Sequence, residues 1–354
     1  MSILCENQRR MDLTSMLAAF FCSFFSAFLA TRPFIRWMQA NKVEQVFRPK
    51  SEVRALADLH APKKHTPTFG GVVFILCATV FAIVFAKHNI MSWTSLMVLW
   101  CFVVLGFCDD MRKILLRDSR GFSKRIKFLF QALICGGALT MVAWNKPDYF
   151  VRLHELWLPL MRAPILPNLS TPLLFGFLFL VLSGSSNAVN LTDGLDGLAA
   201  LCGIIASVAF IAVIASSNVH PTHLAIDPRP LAVTLSALSG ALLAFLWYNA
   251  HPAQIFMGDT GSLAIGGFLG IVAFFILQPF ILAVVGGVFV VEALSVIVQI
   301  CVFQFANGRR IFRMAPLHHH FEIGGWKEPQ IVVRFGILSA MFAVAGVGLS
   351  RIFA

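Results

Sequence analysis

The chain has 354 residues, of which 58% are apolar and only 13% charged, with a net charge of +11. Its mean hydropathy is +0.79. Soluble domains carry about 25% charged residues, so this composition excludes an ordinary soluble domain and points to a chain that lives in lipid.

Ten apolar stretches approach the length of about 20 residues that crosses a hydrocarbon core. In chain order they are Leu13–Thr31, Phe69–Ala86, Ile90–Cys108, Phe128–Trp144, a fifth from about residue 172 to Val189, Leu198–Ser216, Leu231–Trp247, Leu263–Leu277, Phe280–Phe305 and Ile331–Phe353. Arg9 and Arg10 precede the first stretch as in a signal peptide. It is long for one, however, and Arg32 and Arg36 follow without a small-residue cleavage site, so it reads as a retained helix. Glycine and proline inside the stretches do not veto helices, because neighbouring helices can satisfy the freed backbone groups. The expectation is an all-α, polytopic integral membrane protein of about ten transmembrane helices, organised as a single domain over residues 1–354. Residues 145–171, rich in proline and apolar side chains, read as an interfacial loop or hairpin. The eight cysteines have no CxxC spacing and mostly fall inside apolar stretches, which makes them small buried thiols and not a disulfide framework.

Orientation follows from lysine and arginine, which favour the cytoplasmic side. With both termini outside, Arg32–Lys64 places eight basic residues inside, Arg112–Lys127 seven and Arg309–Arg334 five, which is 20 of the 28. The positive charge is thus no sign of nucleic-acid binding. It faces anionic lipid and an anionic substrate. The same assignment puts the strongly polar clusters on the basic side. Asp109-Asp110 follow the third stretch, Asn187 to Asp196 the fifth, Asn249 to Asp259 the seventh and His318-His319-His320 the ninth. Together with the basic segment after the first stretch, five cytoplasmic loops converge on a shared site.

Asp109, Asp110, Asp193, Asp196 and Asp259 are hard oxygen ligands of the kind Mg2+ accepts together with water and substrate phosphate. The spacing of three in Asn187, Asn190, Asp193 and Asp196 predicts side chains along one helical face. Asp259 precedes an apolar stretch, where a helix N-terminus attracts phosphate. Carboxylates, Mg2+ and basic side chains at a membrane face suit phosphoryl transfer between a soluble and a lipid partner. Each piece also has a plainer reading: Asp109-Asp110 as a solvated helix end, Asp193, Asp196 or Asp259 as a helix cap, and the histidines as a solvated or zinc-binding tract. Adjacent histidines on one loop cannot all ligate comfortably, which favours a substrate-binding loop. Glu292, well inside the ninth stretch, reads as an interhelical hydrogen-bonding group outside the site.

At these residues the chain resembles the polyprenyl-phosphate N-acetylhexosamine-1-phosphate transferase superfamily, and within it the branch that uses UDP-MurNAc-pentapeptide. Thr66-Pro-Thr-Phe-Gly-Gly71 is similar to the family's TPTMGG, and Asp109-Asp110-Met-Arg-Lys113 fits DDxxK. Asn187-Ala-Val-Asn-Leu-Thr-Asp-Gly-Leu-Asp-Gly-Leu198 and Phe256-Met-Gly-Asp-Thr-Gly-Ser262 are intact motifs. Met314 to Glu322, followed by Gly325-Trp-Lys-Glu-Pro329, separates this branch from relatives that start O-antigen or teichoic-acid synthesis. The resemblance covers Arg48 to Arg334.

The resemblance implies transfer of phospho-MurNAc-pentapeptide from UDP-MurNAc-pentapeptide to undecaprenyl phosphate in the bacterial inner membrane, giving lipid I and UMP. It implies Mg2+ as cofactor, with Asp259 as principal ligand beside Asp109 and Asp110, and Asp109 as the group that activates the lipid phosphate. Phe256 would stack on uracil, while Asn187, Asn190, Asp193, Asp196 and Asn249 would line the nucleoside and sugar pocket. His318, His319 and His320 would assist nucleotide and phosphates. Lys64 (or Lys63), Thr66, Lys113 and Arg125 would contact nucleotide or phosphates. A membrane-lipid environment is implied, nucleic acid is not, and room is left for a homodimer. Two other readings stay open: a sister enzyme using another UDP-sugar, and a transporter, which would place ionisable groups near the bilayer midplane.

Overall fold

The computed structural model describes residues 2–41, 63, 66–117, 120–159, 161, 163–216, 225–306 and 308–351, the first eleven of these and residue 351 without side chains. Helices dominate. In chain order they are α1 (Ser2–Ala40), α2 (Gly70–Phe85), α3 (Ile90–Leu116), α4 (Lys124–Asn145), α5 (Pro147–Leu153), α6 (Thr171–Thr192) and α7 (Leu198–Ala215). They continue with α8 (Arg229–Asn249), α9 (Gly258–Phe275), α10 (Pro279–Val285), α11 (Gly287–Phe305), α12 (Leu317–Ile323) and α13 (Glu328–Arg351). Among the described residues nine helices are long and apolar enough to cross a membrane, and α2 is a shorter apolar helix of 16 residues. Every expected stretch therefore carries a helix, and the all-helical, multi-span architecture is the one the hydropathy predicts.

Three boundaries differ. α1 continues through Pro33 to Ala40 instead of stopping at Thr31. α3 runs past Asp109 and Asp110 to Leu116, so both carboxylates sit on the helix and not beyond it. The ninth stretch is two helices, α10 and α11, broken at Gly286, which no hydropathy window detects. In residues 145–171, α5 is followed by an isolated antiparallel bridge between Leu156 and Leu166, a hairpin-like return.

Helix ends obey local chemistry. Asn89 opens α3 with a capping box: its Oδ1 accepts from the Ser92 amide at 3.1 Å while Ser92 Oγ accepts from the Asn89 amide at 2.9 Å. Helix faces obey the solvent. Leu13, Leu17, Phe21, Phe25 and Leu29 form an exposed i, i+4 stripe along α1, and Val333, Ile337, Met341 and Val344, spaced by four, four and three, form an exposed row on α13. Such apolar rows outside a bundle are expected only where lipid replaces water. The centre is α8 and α9, whose apolar windows are 83% and 89% buried against 17% for α1.

Lipid gives helices no hydrophobic reason to associate, so close packing of small residues does this work. α9 shows it. Its Gly266 and Gly270 meet Ser185 of α6, and its Gly267 meets the Phe102 ring of α3. Gly106 of α3 lies against the Asp259 backbone, and Gly71 of α2 against Gly261. A β-carbon at any of these would collide. This packing draws the C-terminal end of α3 and the N-terminal ends of α2 and α9 together.

Candidate active site

Two polar clusters sit where these helix ends meet. In the first, Asp109 and Asp110 come from the last turns of α3, Lys127 from the first turn of α4, Asn190 from the end of α6 and Asp259 from the start of α9. Lys113 Nζ lies 2.9 Å from Asp109, 3.2 Å from Asp110 and 3.0 Å from Asp259. Lys127 Nζ lies 2.9 Å from Asp109 and 3.0 Å from Asp259. Asn190 Nδ2 donates to Asp259 Oδ1 and to Ser262 Oγ, both at 2.9 Å.

Each aspartate is held differently. Asp110 Oδ2 accepts from the amide and the hydroxyl of Thr260 at 3.0 and 2.9 Å. It thus caps α9 from another helix, placing its charge at the positive end of the helix dipole. Asp259, one of the candidate caps by sequence, is left facing the lysines. Asp109 is fully buried, and its Oδ1 accepts from the Phe122 amide at 2.6 Å. Gly121, at φ +62°, makes that turn, and a β-carbon there would strike the Asp109 carboxylate. Gly258, at φ +73°, brings the α9 backbone against Asp110 and Thr68 in the same way. Both are left-handed conformations that a side chain disfavours.

Oxygens of Asp109, Asp110 and Asp259 all lie within 4.8 Å of one another. Three carboxylates against two ammonium groups leave one negative charge unmatched, and hard oxygens with residual charge fit Mg2+.

The ladder predicted on one helical face is split. α6 ends at Thr192, Asp193 is its C-terminal cap, and Gly194 to Gly197 form turns that start α7, with Gly197 at φ +84°. Asn187 turns its amide back to the Ser183 carbonyl at 2.7 Å within α6, away from the aspartates. Only Asn190 of the four bonds to the first cluster's carboxylates. Asp193 lies beside them: desolvation first, then the charges of Asp259, Asp110 and Asp196, raise its carboxyl well above the usual range, while Lys113 pulls it down. Asp196 belongs to the second cluster, with Lys63, His251 and Glu328.

The histidines occupy a short helix, α12, in place of the expected loop, so they point in different directions. His318 is fully buried, with its backbone amide donating to Glu292 Oε1 at 3.2 Å and its Nδ1 3.3 Å from Glu292 Oε2. Its Nε2 packs against Gly194, whose lack of a side chain admits it. His319 Nδ1 lies 2.9 Å from Glu322, and His320 Nδ1 accepts from the Arg313 amide at 3.0 Å. Glu292 therefore anchors the histidine helix as the interhelical hydrogen-bonding group expected from its position, with a partner that the sequence did not name.

Asn249 is tied on both sides, accepting from the Gly197 amide at 3.0 Å and donating to the Ile255 carbonyl at 2.9 Å. Phe256, half-buried, is clamped through its backbone between Pro67 and Gly70. Thr66 borders a polar cleft with Arg32, Arg36 and Gln254. Lys64 lies outside the described residues, and it is Lys63 that reaches Asp196. Arg125 is exposed, and the basic group at the carboxylates from that segment is Lys127, two residues on. Sequence reasoning named Lys63 only as the alternative to Lys64, and it missed Lys127, His251 and Glu328. For Lys127 a signal existed, since it ends the run of seven basic residues from Arg112 that follows Asp109-Asp110.

Beside Asn190 an apolar groove of about 230 Å³ opens between α6, α9, α10 and α11, lined by Phe177, Val181, Val189, Leu269, Phe280 and Phe289.

Known proteins resemble this chain over most of its length. The profile described as Glycosyl transferase family 4 matches residues 92–277. A phospho-N-acetylmuramoyl-pentapeptide-transferase of Desulfotalea psychrophila is 42% identical over 351 residues, covering 95% of this chain and 93% of the relative. One from Opitutus terrae is 41% identical over 309 residues, covering 84% and 83%. The chain belongs to the phospho-N-acetylmuramoyl-pentapeptide-transferase family.

Proposed function

We propose that this chain transfers phospho-MurNAc-pentapeptide from UDP-MurNAc-pentapeptide to undecaprenyl phosphate, releasing UMP and forming lipid I, at the cytoplasmic face of the bacterial inner membrane. The observation that carries the chemistry is the Asp109–Asp110–Asp259 cluster interleaved with Lys113 and Lys127 at the helix ends. Asp109, Asp110 and Asp259 would hold Mg2+, which supplies Lewis-acid stabilisation of charge on the transferring phosphate.

The chain's own groups divide the remaining tasks. Lys113 and Lys127 supply ammonium donors for phosphate oxygens. Asn190 orients Asp259, and Phe256 offers a ring face for uracil. The apolar groove beside Asn190 suits a polyprenyl chain, which would leave its phosphate near the lysines. Asp109 has one oxygen on the Phe122 amide and the other on two lysines. A carboxylate so engaged is a poor nucleophile, and a lipid phosphate with a second pKa near 6 is already a competent one. The geometry thus supports direct attack by the acceptor, with Asp109 positioning the lysines.

The test uses sealed vesicles of both orientations containing the protein and undecaprenyl phosphate, with membrane-impermeant donor added outside. Lipid I should form from UDP-MurNAc-pentapeptide only where the cytoplasmic face is outward, and UDP-GlcNAc should not substitute. Equal turnover in right-side-out vesicles would overturn the orientation. Comparable use of UDP-GlcNAc would move the chain to the sister class.

A further inference from the structure

The second polar cluster joins four segments far apart in sequence. Asp196 Oδ1 accepts from Lys63 Nζ at 2.7 Å. Its Oδ2 accepts from the Ala253 amide at 3.1 Å and lies 3.0 Å from His251 Nδ1. Glu328, in the first turn of α13, accepts at Oε1 from Lys63 Nζ and from the Asp196 amide, both at 2.6 Å. Its Oε2 lies 3.3 Å from His251 Nδ1. The Asp196 and Glu328 side chains are only 1% and 10% exposed. Asp196, His251 and Glu328 are close enough together for a cation. Lys63 already brings an ammonium group to both carboxylates, so the chain supplies that charge itself.

This knot continues into the ledge that carries Phe256. Gly197, next to Asp196, is bonded to Asn249, and Asn249 to Ile255. The Phe256 amide donates to Pro67 at 2.8 Å, and its carbonyl accepts from Gly70 at 2.9 Å, within the segment that begins at Lys63. The Phe256 ring is therefore placed by two strands of backbone, both fastened to the same pair of carboxylates. Breaking one member of a buried charged pair leaves its partner uncompensated, which makes such a fastening stiff.

We propose that Glu328 and His251 are positioning residues for the nucleoside end of the donor, acting through Lys63 and Asp196 on the Phe256 ledge. They do not touch the reacting phosphates, which meet the separate Asp109–Asp110–Asp259 cluster. The inference rests on the functional reading above. It assigns the start of α13, 132 residues from Asp196 in sequence, to donor recognition.

Glu328→Gln keeps the shape and removes the charge. Weakened donor binding raises KM with little change in kcat. The expected donor KM rises about tenfold with kcat within a factor of about two, while the acceptor KM is unchanged. His251→Ala, whose side chain is 39% exposed and poses little threat to folding, should raise donor KM by about threefold. The double variant should fall short of the product of the two effects, because both act on Asp196. If Glu328→Gln does not yield a monodisperse protein, His251→Ala and calorimetric UMP binding carry the test. A drop in kcat at unchanged donor KM, or multiplicative effects in the double variant, would overturn the proposal. Wild-type protein is assayed alongside: its failure to turn over UDP-MurNAc-pentapeptide would sink the functional reading, whereas normal wild-type and variant kinetics would sink this inference alone.

Discussion

Asp259→Asn tests the charge balance of the first cluster with almost no change of shape. Asp259 Oδ2 faces Lys113 and Lys127 at 3.0 Å each, and Oδ1 takes the Asn190 amide. Asparagine can accept at only one of these positions: with its Oδ1 toward the lysines, its amide nitrogen meets Asn190, which keeps Ser262 Oγ as an acceptor, and both lysines keep Asp109 as a partner. The fold should therefore survive, with normal extraction and a normal elution profile. The loss falls on the cation. Three carboxylates against two ammonium groups become two against two, so the residual negative charge vanishes. A unit charge about 3 Å from a cation is worth about 5 kcal/mol per unit of cation charge at an effective dielectric of 20. Most of that is offset by the cost of desolvating both groups. A remaining loss of about 3–4 kcal/mol in transition-state stabilisation corresponds to a rate reduction of about 10²–10³. The assay is UMP release from UDP-MurNAc-pentapeptide across a Mg2+ titration. Activity within about threefold of wild type at the same Mg2+ concentration would refute the reasoning, since a spectator carboxylate costs less than 1 kcal/mol.

Lys127→Met should remove about 10²-fold or more of turnover by leaving Asp109 and Asp259 with one ammonium group in place of two, whereas exposed Arg125→Gln should stay within about threefold. Equal losses from both substitutions would mean that the lysine contact has no special part in the chemistry. Because Asp109 is fully engaged by the Phe122 amide and two lysines, labelled UMP should not exchange into UDP-MurNAc-pentapeptide without a lipid acceptor. Acceptor-independent exchange, abolished by Asp109→Asn, would instead indicate a covalent enzyme intermediate.

Sequence by itself determined the layers and the chemical inventory. A backbone in lipid must bond within its own helix, so apolar length alone marks the spans; ten stretches carry helices, even though α3 overruns and the ninth breaks at Gly286. The aspartates were conspicuous for a related reason: charge is costly in an apolar chain, and its survival at stretch ends marks a use.

Tertiary structure decided the partnerships. Lys127 and Asp259 are 132 residues apart, and so are Asp196 and Glu328. Such pairs depend on how glycine-lined helices settle against α9, and no spacing rule reports it. The even spacing of Asn187 to Asp196 misled because α6 ends at Thr192, and the turn from Asp193 to Gly197 sends Asn190 and Asp196 into different clusters. Glu292 and His318 illustrate the limit most plainly. One is in an apolar helix and the other in a polar connection, and only the packing of α11 against α12 brings their side chains together.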